Sequence, residues 1–434
     1  VDILDREGVN VIDVYHSSPK WTHPVGNRQL PEDLFTTYEF NKKLAEDSPS
    51  VDVWEIWNEE DVTILYLRET AEQYAAHFKA AAIAMAETEN NPYVVFGGFS
   101  QNSQQTEFID LVFQNGIMDY TNIYNYHCHN NINDKRVNET IDMHENATKN
   151  QIASDRAYDS EGKPVWVTEA GGKMLLASVN EPTSERLQKG QARYVVASNV
   201  QSVAWGVDKN FWFVFPKYIE NSADWGTFSE NHTPYPSYQA EAIMTYALGA
   251  GKYLGEVNNL PEGVRGYVFD NGSGEDVCVL WSDSEKTMSF ASAHDVKVTD
   301  FMGGEKNIAG EDGRVSINLC PDPVYVNFRG RMDSSEYTLE IRKEKKLQKN
   351  HFTKEQKIVL NQNYDGIDFI EGKQFGFRKS MEKPFEIQCE VYNFNDVEMS
   401  GVIRASAECN VTFDADEKPV TVAPMSKEVV TFTI

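Results

Sequence analysis

The sequence predicts an α/β chain, a (β/α)8 barrel without its first two strands, followed by two antiparallel β-sandwich domains. Three observations carry that prediction. Short apolar runs alternate with stretches of helical spacing over residues 1–252. From about Gly263 the helical spacing stops, and short strand-like runs are separated by Asn-Gly, Ser-Asp and Gly-Gly turns. The run Val51-Asp52-Val53-Trp54-Glu55-Ile56-Trp57-Asn58-Glu59-Glu60-Asp61 reads as a buried strand with an abrupt polar end, followed by a long helical pattern. An α/β barrel presents a functional carboxylate in this way, at the C-terminal end of a strand. The expected domains are a partial barrel over 1–252, a β-sandwich over 258–330 and a second one over 336–434.

Taken in order, Val9 to Tyr15 is a strand leading to the loop His16-Ser17-Ser18-Pro19-Lys20-Trp21, and Leu34 to Glu46 has helical spacing. After the Val51 strand comes a helix from Thr70 to Glu89. Tyr93 to Phe96 is a strand closed by Gly97-Gly98, and Thr106 to Gln114 is a helix ending near Asn115-Gly116. Asn122 to His127 is the next strand, and a polar helical region runs from Asp134 to Asp159. Pro164 to Gly172 contains a strand, Ser184 to Val203 a helix, Phe211 to Phe215 a strand and Pro236 to Leu248 a helix. Parallel strands buried on both faces read as continuous apolar runs, as these do. Six strands precede the change of pattern, so the natural polypeptide is expected to continue upstream by roughly 60 residues or more, the size of two βα units. The alternative is an incomplete barrel closed by another chain.

The β regions begin with Val264 to Phe269, Asp276 to Trp281, Thr287 to Ala291, Val296 to Phe301, Val315 to Leu319 and Val324 to Phe328. A charged linker from about Arg331 to Lys357 separates them from a second series, in which Phe385 to Phe394 and Val429 to Ile434 are clearest. Neither series frames a pair of carboxylates, so removal of residues from about 336 onward is expected to spare turnover of a small substrate.

Composition narrows the function classes. A chain of 434 residues with 41% hydrophobic and 12% aromatic residues buries real cores. A net charge of -27 repels phosphate backbones and anionic lipid surfaces, so neither nucleic acid nor a membrane is an expected partner. No run approaches the apolar length of a membrane span. Five cysteines, Cys128, Cys278, Cys320, Cys389 and Cys409, are widely spaced and odd in number, which argues against a disulfide framework. Asn138 and Asn146 begin Asn-x-Thr triplets, read here as chance in an Asn-rich chain. No signal peptide opens the chain, and the start at Val1, without Met, is not informative about export. A secreted or cell-surface setting is the expectation.

Trp57-Asn58-Glu59 at a strand end resembles the acid/base signature of the retaining glycoside hydrolases of clan A, which are TIM barrels. Pro164-Val165-Trp166-Val167-Thr168-Glu169-Ala170-Gly171-Gly172 resembles that clan's nucleophile strand. About 110 residues separate the two glutamates, which fits the three βα units between a fourth and a seventh strand. The phrase Trp-Glu-Ile-Trp-Asn-Glu is most like the β-xylosidase and α-L-iduronidase group, although Glu60 stands where that group has Pro. Retaining hydrolysis uses two carboxyls about 5 to 5.5 Å apart, one protonated to serve the leaving oxygen and one ionised to attack the anomeric carbon. The resemblance assigns Glu59 to the first role and Glu169 to the second, and places Asn58 on the sugar's 2-hydroxyl. No cofactor is implied.

Around this pair, Tyr126, His127 and His129 fall on one strand, with His127 at the clan's His position and His129 where Tyr is usual. Either imidazole is a candidate partner for Glu169. Alternation sends Cys128 to the opposite face, which argues against a metal site built from this stretch. Trp212 is a candidate platform for a sugar's apolar face, and ordinary core packing is the competing reading. Trp21, His16 and Trp225 are further candidates in strand-end loops. Glu60 and Asp61 read as solvated or helix-entry charges, and Glu55 as a paired interior charge. The implied activity is hydrolysis of a β-linked oligo- or polysaccharide. A glycan-binding protein on a catalytically retired barrel and a barrel lyase are the alternatives, and an aryl glycoside panel separates them.

Overall fold

The computed structural model describes the whole chain apart from residues 23–28, 63–66, 68, 101–105, 133–138, 160–161, 179–181, 364–367, 370–376, 379–382 and 408–410. Cys409 and Asn138 lie outside the described residues. The chain divides into two compact units: residues 1–126, 158–164 and 346–434 form one, and residues 127–157 and 165–345 the other.

In the first unit, a short helix α1 (Asp2–Arg6) precedes strand β1 (Ile12–Tyr15), helix α2 (Leu34–Asp47), strand β2 (Val53–Ile56), helix α3 (Ala71–Ala86) and strand β3 (Tyr93–Phe96). The three strands are parallel, with Ile12 opposite Val53 and Val53 opposite Tyr93. Every residue of β2 is buried, as its unbroken Val-Trp-Glu-Ile run requires of a central parallel strand. Helix starts follow local chemistry. Asp33 accepts the Phe35 amide at the head of α2, and Thr70 with Gln73 forms a reciprocal capping box at the head of α3. The two-residue strand β4 (Phe99–Ser100), helix α4 (Thr106–Gln114) and the first residues of β5 (Tyr124–Ile132) follow, with Asn122 donating its amide to Val94 beside β3. An aromatic core of Phe78, Phe96, Phe99, Phe113 and Tyr124 fills the space under α3 and α4.

The second unit holds the rest of β5, helix α5 (Glu139–Tyr158, its last residue falling to the first unit), strand β6 (Val165–Leu175), helix α6 (Glu185–Trp205), and strands β7 (Lys209–Trp212), β8 (Ile219–Glu220) and β9 (Ala223–Asp224). Strands β6 and β7 pair in parallel, and β9 closes antiparallel on the end of β6. Helix α7 (Pro236–Leu248) follows, with proline in its first turn. Strands β10 (Lys252–Val257), β11 (Val264–Asp270), β12 (Asp276–Ser282), β13 (Lys286–Ala291), β14 (Val296–Asp300), β15 (Glu305–Ile308), β16 (Arg314–Leu319), β17 (Val324–Asn327) and β18 (Tyr337–Leu339) complete it. Seven of them form one sheet in the order β15-β14-β17-β12-β11-β10-β18, and β13 pairs with β16.

Side-chain alternation divides this sheet's two faces. Tyr267, Phe269, Val277, Val279, Trp281 and Tyr325 belong to a core shared with α6 and α7. Val268, Cys278, Leu280 and Val326 belong to another shared with Phe290, Val315, Ile317 and Leu319 of the antiparallel β13–β16 pair. Every residue of β12 is therefore buried although its neighbours are antiparallel. The expected linker is a correction: Tyr337–Leu339 adds β18 to the edge of β10, with Leu339 opposite Gly255.

Residues 346–434 carry β19 (Ile358–Asn363), β20 (Asp368–Phe369), β21 (Phe377–Arg378), β22 (Glu386–Asn393), β23 (Met399–Arg404), β24 (Glu417–Val422) and β25 (Ser426–Thr433), with a three-stranded sheet β19-β22-β25. This segment is anchored within the first unit by rings: Phe35 meets Tyr392 at 5.3 Å, Tyr38 stacks on Phe394 at 5.2 Å and Tyr120 on Phe352 at 4.9 Å. Asn122 donates to Asn350 Oδ1 at 2.9 Å. Truncation before residue 346 bares those rings, at on the order of 1.5–3 kcal/mol for each side chain of that size. The truncated chain is accordingly expected to melt well below the full chain in a thermal scan.

The four described cysteines are free, and no described helix is long and apolar enough to cross a membrane.

Candidate active site

In the first unit, the Trp57-Asn58-Glu59 turn leaves the end of β2. Trp57 stands at φ 79° and Glu59 at φ 42°, left-handed conformations that non-glycine residues hold only when their surroundings impose them, at about 1–3 kcal/mol each. The surroundings are specific. Trp57 is buried edge-on against His77, its amide donates to Tyr15 O at 2.9 Å, and the Tyr74 hydroxyl donates to Ile56 O at 2.9 Å while accepting from Gly97 N. Burial holds His77 neutral, its basicity lowered to about 3. Gly97 makes this packing feasible, because a Cβ there would lie 2.5 Å from the Trp57 carbonyl carbon and 2.7 Å from Asn58 N. Asn58 and Glu59 remain partly exposed, as a proton donor and its neighbour need.

Glu55 is interior as expected: its Oε1 accepts from Gly98 N and Asn125 Nδ2, both at 2.9 Å. Glu60 and Asp61 are a correction. Both are buried, and Asp61 Oδ1 accepts from Ser100 N at 2.9 Å. Proximity to the loop suggested solvent, but the turn folds back so that these side chains point inward. Tyr126 is fully buried, Trp21 is 78% exposed, and His16 is exposed with its Nδ1 3.0 Å from Ser17 Oγ.

In the second unit, Glu169 lies within β6 and directs Oε2 at two imidazoles: His129 Nε2 at 3.2 Å and His127 Nδ1 at 3.7 Å. The strand's alternation puts both rings on one face and Cys128 on the other. There Cys128 Sγ lies 3.1 Å from His144 Nδ1, and Asn130 donates to Tyr194 at 2.8 Å. Burial lowers His144 to about 4 and pushes the Cys128 thiol up to about 12, so this pair is neutral. It ties β5 to α5 and α6 from behind.

Trp225 stacks edge-on against His129 at 4.8 Å, with Phe213 at 5.4 Å and Lys173 over its ring at 4.8 Å. Its indole N–H has no acceptor among the described residues. The loop holding it is pinned by buried Asp224, whose Oδ2 accepts from Lys217 Nζ and Thr183 Oγ1 at 2.6 Å each. Trp212 is a correction: it packs on Tyr194 of α6 at 6.1 Å against the helix-side core. Phe213, one residue on and beyond the end of β7, faces His129 at 5.6 Å, because the chain turns there. Sequence reasoning chose the tryptophan by type and passed over Phe213 and Lys173, which alternation from His129 and Glu169 alone does not reach. Gly171 matches Gly97 in role. A Cβ there would lie 2.5 Å from Phe213 O and 3.3 Å from His129 Nδ1.

Gly97→Ala and Gly171→Ala are each expected to displace a carboxylate-bearing segment. A misplacement near 1 Å lowers kcat/KM by about 10²-fold. Unchanged turnover in either variant, with a wild-type circular dichroism spectrum, would contradict that expectation.

No family model matches the chain, and no curated relative matches it. Solved structures share its fold. One is a family 39 glycoside hydrolase from the gut symbiont Bacteroides cellulosilyticus WH2, 19% identical, covering 74% of this chain and 68% of that one with a TM-score of 0.58. A glucosidase from Croceicoccus marinus is 13% identical, with 74% and 79% covered and a TM-score of 0.54. A GH30 endoxylanase from Clostridium papyrosolvens C71 is 14% identical, with 75% and 80% covered and a TM-score of 0.51. The α/β fold of this chain is that of these solved glycoside hydrolases.

Proposed function

We propose that this chain is a retaining glycoside hydrolase that cleaves a β-linked oligo- or polysaccharide by double displacement. The observation that carries the reading is Glu169, a strand-borne, partly exposed carboxylate whose Oε2 is faced by two imidazoles. In this reading residues 1–252 are the third to eighth strands and helices of a (β/α)8 barrel, and residues 258–330 and 336–434 are supporting β-sandwiches.

Glu169 is the nucleophile. Donation from His129 Nε2–H holds one carboxylate oxygen, which orients the other for attack on the anomeric carbon. Glu59 is the acid, giving its proton to the leaving oxygen, and then the base that takes a proton from water as the glycosyl-enzyme is hydrolysed. Asn58 hydrogen-bonds the 2-hydroxyl. The Trp225 N–H is a donor for a sugar hydroxyl, and Phe213 with Trp225 forms an apolar wall against the ring. Carboxylates and water suffice for both steps.

The test is a panel of aryl β-glycosides with the first-formed product observed by proton NMR. Release of a sugar with its β configuration kept supports the reading. Inversion, or inertness toward the whole panel, would sink it.

A further inference from the structure

Glu60 follows the candidate acid directly, yet it is fully buried. The titratable groups that face it are acidic or phenolic: Glu55 from β2, Asp61 from the turn and Tyr74 from α3, with Tyr15 of β1 beyond Tyr74. The backbone amide of Glu60 itself and the Tyr74 hydroxyl approach its carboxyl, and the other donors in this pocket are committed elsewhere. Gly98 N and Asn125 Nδ2 serve Glu55, Ser100 N serves Asp61, and the Tyr74 hydroxyl donates to Ile56 O. Neither Glu60 carboxyl oxygen is engaged by a hydrogen bond of ordinary geometry among the described residues. A carboxylate in that position would be a desolvated anion beside two other carboxyls.

We infer that Glu60 is built into the fold as an un-ionised carboxylic acid, and that it positions the turn presenting Glu59 rather than transferring the proton itself. Burial pushes this carboxyl well above the usual carboxylate range; its own backbone amide and the Tyr74 hydroxyl oppose that rise, and Asp61 and Glu55 add to it. The turn explains the need. Glu59 at φ 42° lies between two buried side chains, Trp57 before it and Glu60 after it, and such a conformation persists only when both flanks are anchored. An ionised Glu60 would be drawn toward water and would loosen the second anchor. The positioning role rests on the retaining-hydrolase reading of Glu59, whereas the protonation state does not.

The sign of the pH effect follows. Below about pH 4 Glu60 is protonated in both the folded and unfolded chain and the pair of states is balanced. As pH rises the unfolded chain ionises while the folded chain keeps its proton, so this residue lowers stability progressively up to its folded-state pKa. Gln carries the same shape without that liability.

The experiment uses full-length Glu60→Gln and Glu60→Ala, with melting temperature measured from pH 4 to 8 and kcat/KM on a dinitrophenyl and an unactivated glycoside. Glu60→Gln is expected to match the wild type within about 1 °C at pH 4 and to exceed it by about 4 °C or more at pH 8. It is expected to keep kcat/KM on both substrates within about threefold at neutral pH and to move the alkaline limb of the pH profile upward, whereas Glu60→Ala loses turnover of both. A melting temperature for Glu60→Gln below the wild type at pH 8 would overturn the un-ionised state. Loss confined to the unactivated glycoside would make Glu60 the proton donor and overturn the positioning role. Should the wild type hydrolyse no glycoside, the positioning role falls with the functional reading, and the melting-temperature gap alone still decides the protonation state.

Discussion

Glu169→Gln is expected to abolish turnover of every substrate, activated or not, by on the order of 10⁴-fold or more in kcat, the scale of losing a covalent nucleophile. Gln keeps the shape and can still accept from His129 Nε2–H, the nitrogen 3.2 Å away in the wild type, so the loss isolates the attacking charge. Glu169→Ala removes the side chain and leaves room for a small anion. Added azide should then attack the anomeric carbon directly and give a glycosyl azide of inverted configuration, read by proton NMR. A retained product from that variant would exchange the roles of the two glutamates. Turnover of Glu169→Gln within about tenfold of the wild type would remove Glu169 from the covalent step altogether.

Glu59→Ala should divide substrates by leaving group. General acid assistance is worth about 10²–10⁴-fold where the leaving oxygen needs a proton, and almost nothing for dinitrophenol, so kcat/KM should fall only for the former. Hydrolysis of the glycosyl-enzyme also slows, because Glu59 no longer activates water. Azide needs no deprotonation and should restore turnover, here with retained configuration. The turn gives a structural reason to use Ala in place of a larger residue: the Trp57–Glu59 backbone passes so close to Gly97 that the strained segment has little freedom to accommodate added bulk. Equal loss on both leaving groups would mean that Glu59 is not the acid.

How much of this was legible in the chain depends on how local its cause is. Strand β3 and helices α4 and α7 run over the residues that their periodicity predicts, because apolar spacing, caps and a first-turn proline act within a few residues. The face shared by His127 and His129 is equally local, being a consequence of a two-residue repeat, whereas Glu169, expected at a strand end, lies inside β6 because that strand runs on to Leu175. Strand ends are less so. The run Phe211 to Phe215 reads as one strand, yet pairing with β6 stops at Trp212, where Ala170 is its partner, and the chain then turns so that Phe213 faces His129.

The sequence by itself determined the order of the main helices and the strands between them and the change from mixed α/β to all-β, and it singled out the two glutamates, while the short strands β4, β8, β9, β15 and β18 and the strand β10 went unread. Tertiary structure alone decided which polar groups lose their water. Glu60 and Asp61 look like surface charges from their place in a loop, and only the return of that loop onto β2, β4 and α3 makes them interior. It also decided that both faces of β12 are covered, and that residues 346–434 lean on Phe35, Tyr38 and Tyr120 in their own unit. Burial is a property of segments far apart in the chain brought into contact, and no repeat of two or 3.6 residues records which distant segment will supply the cover.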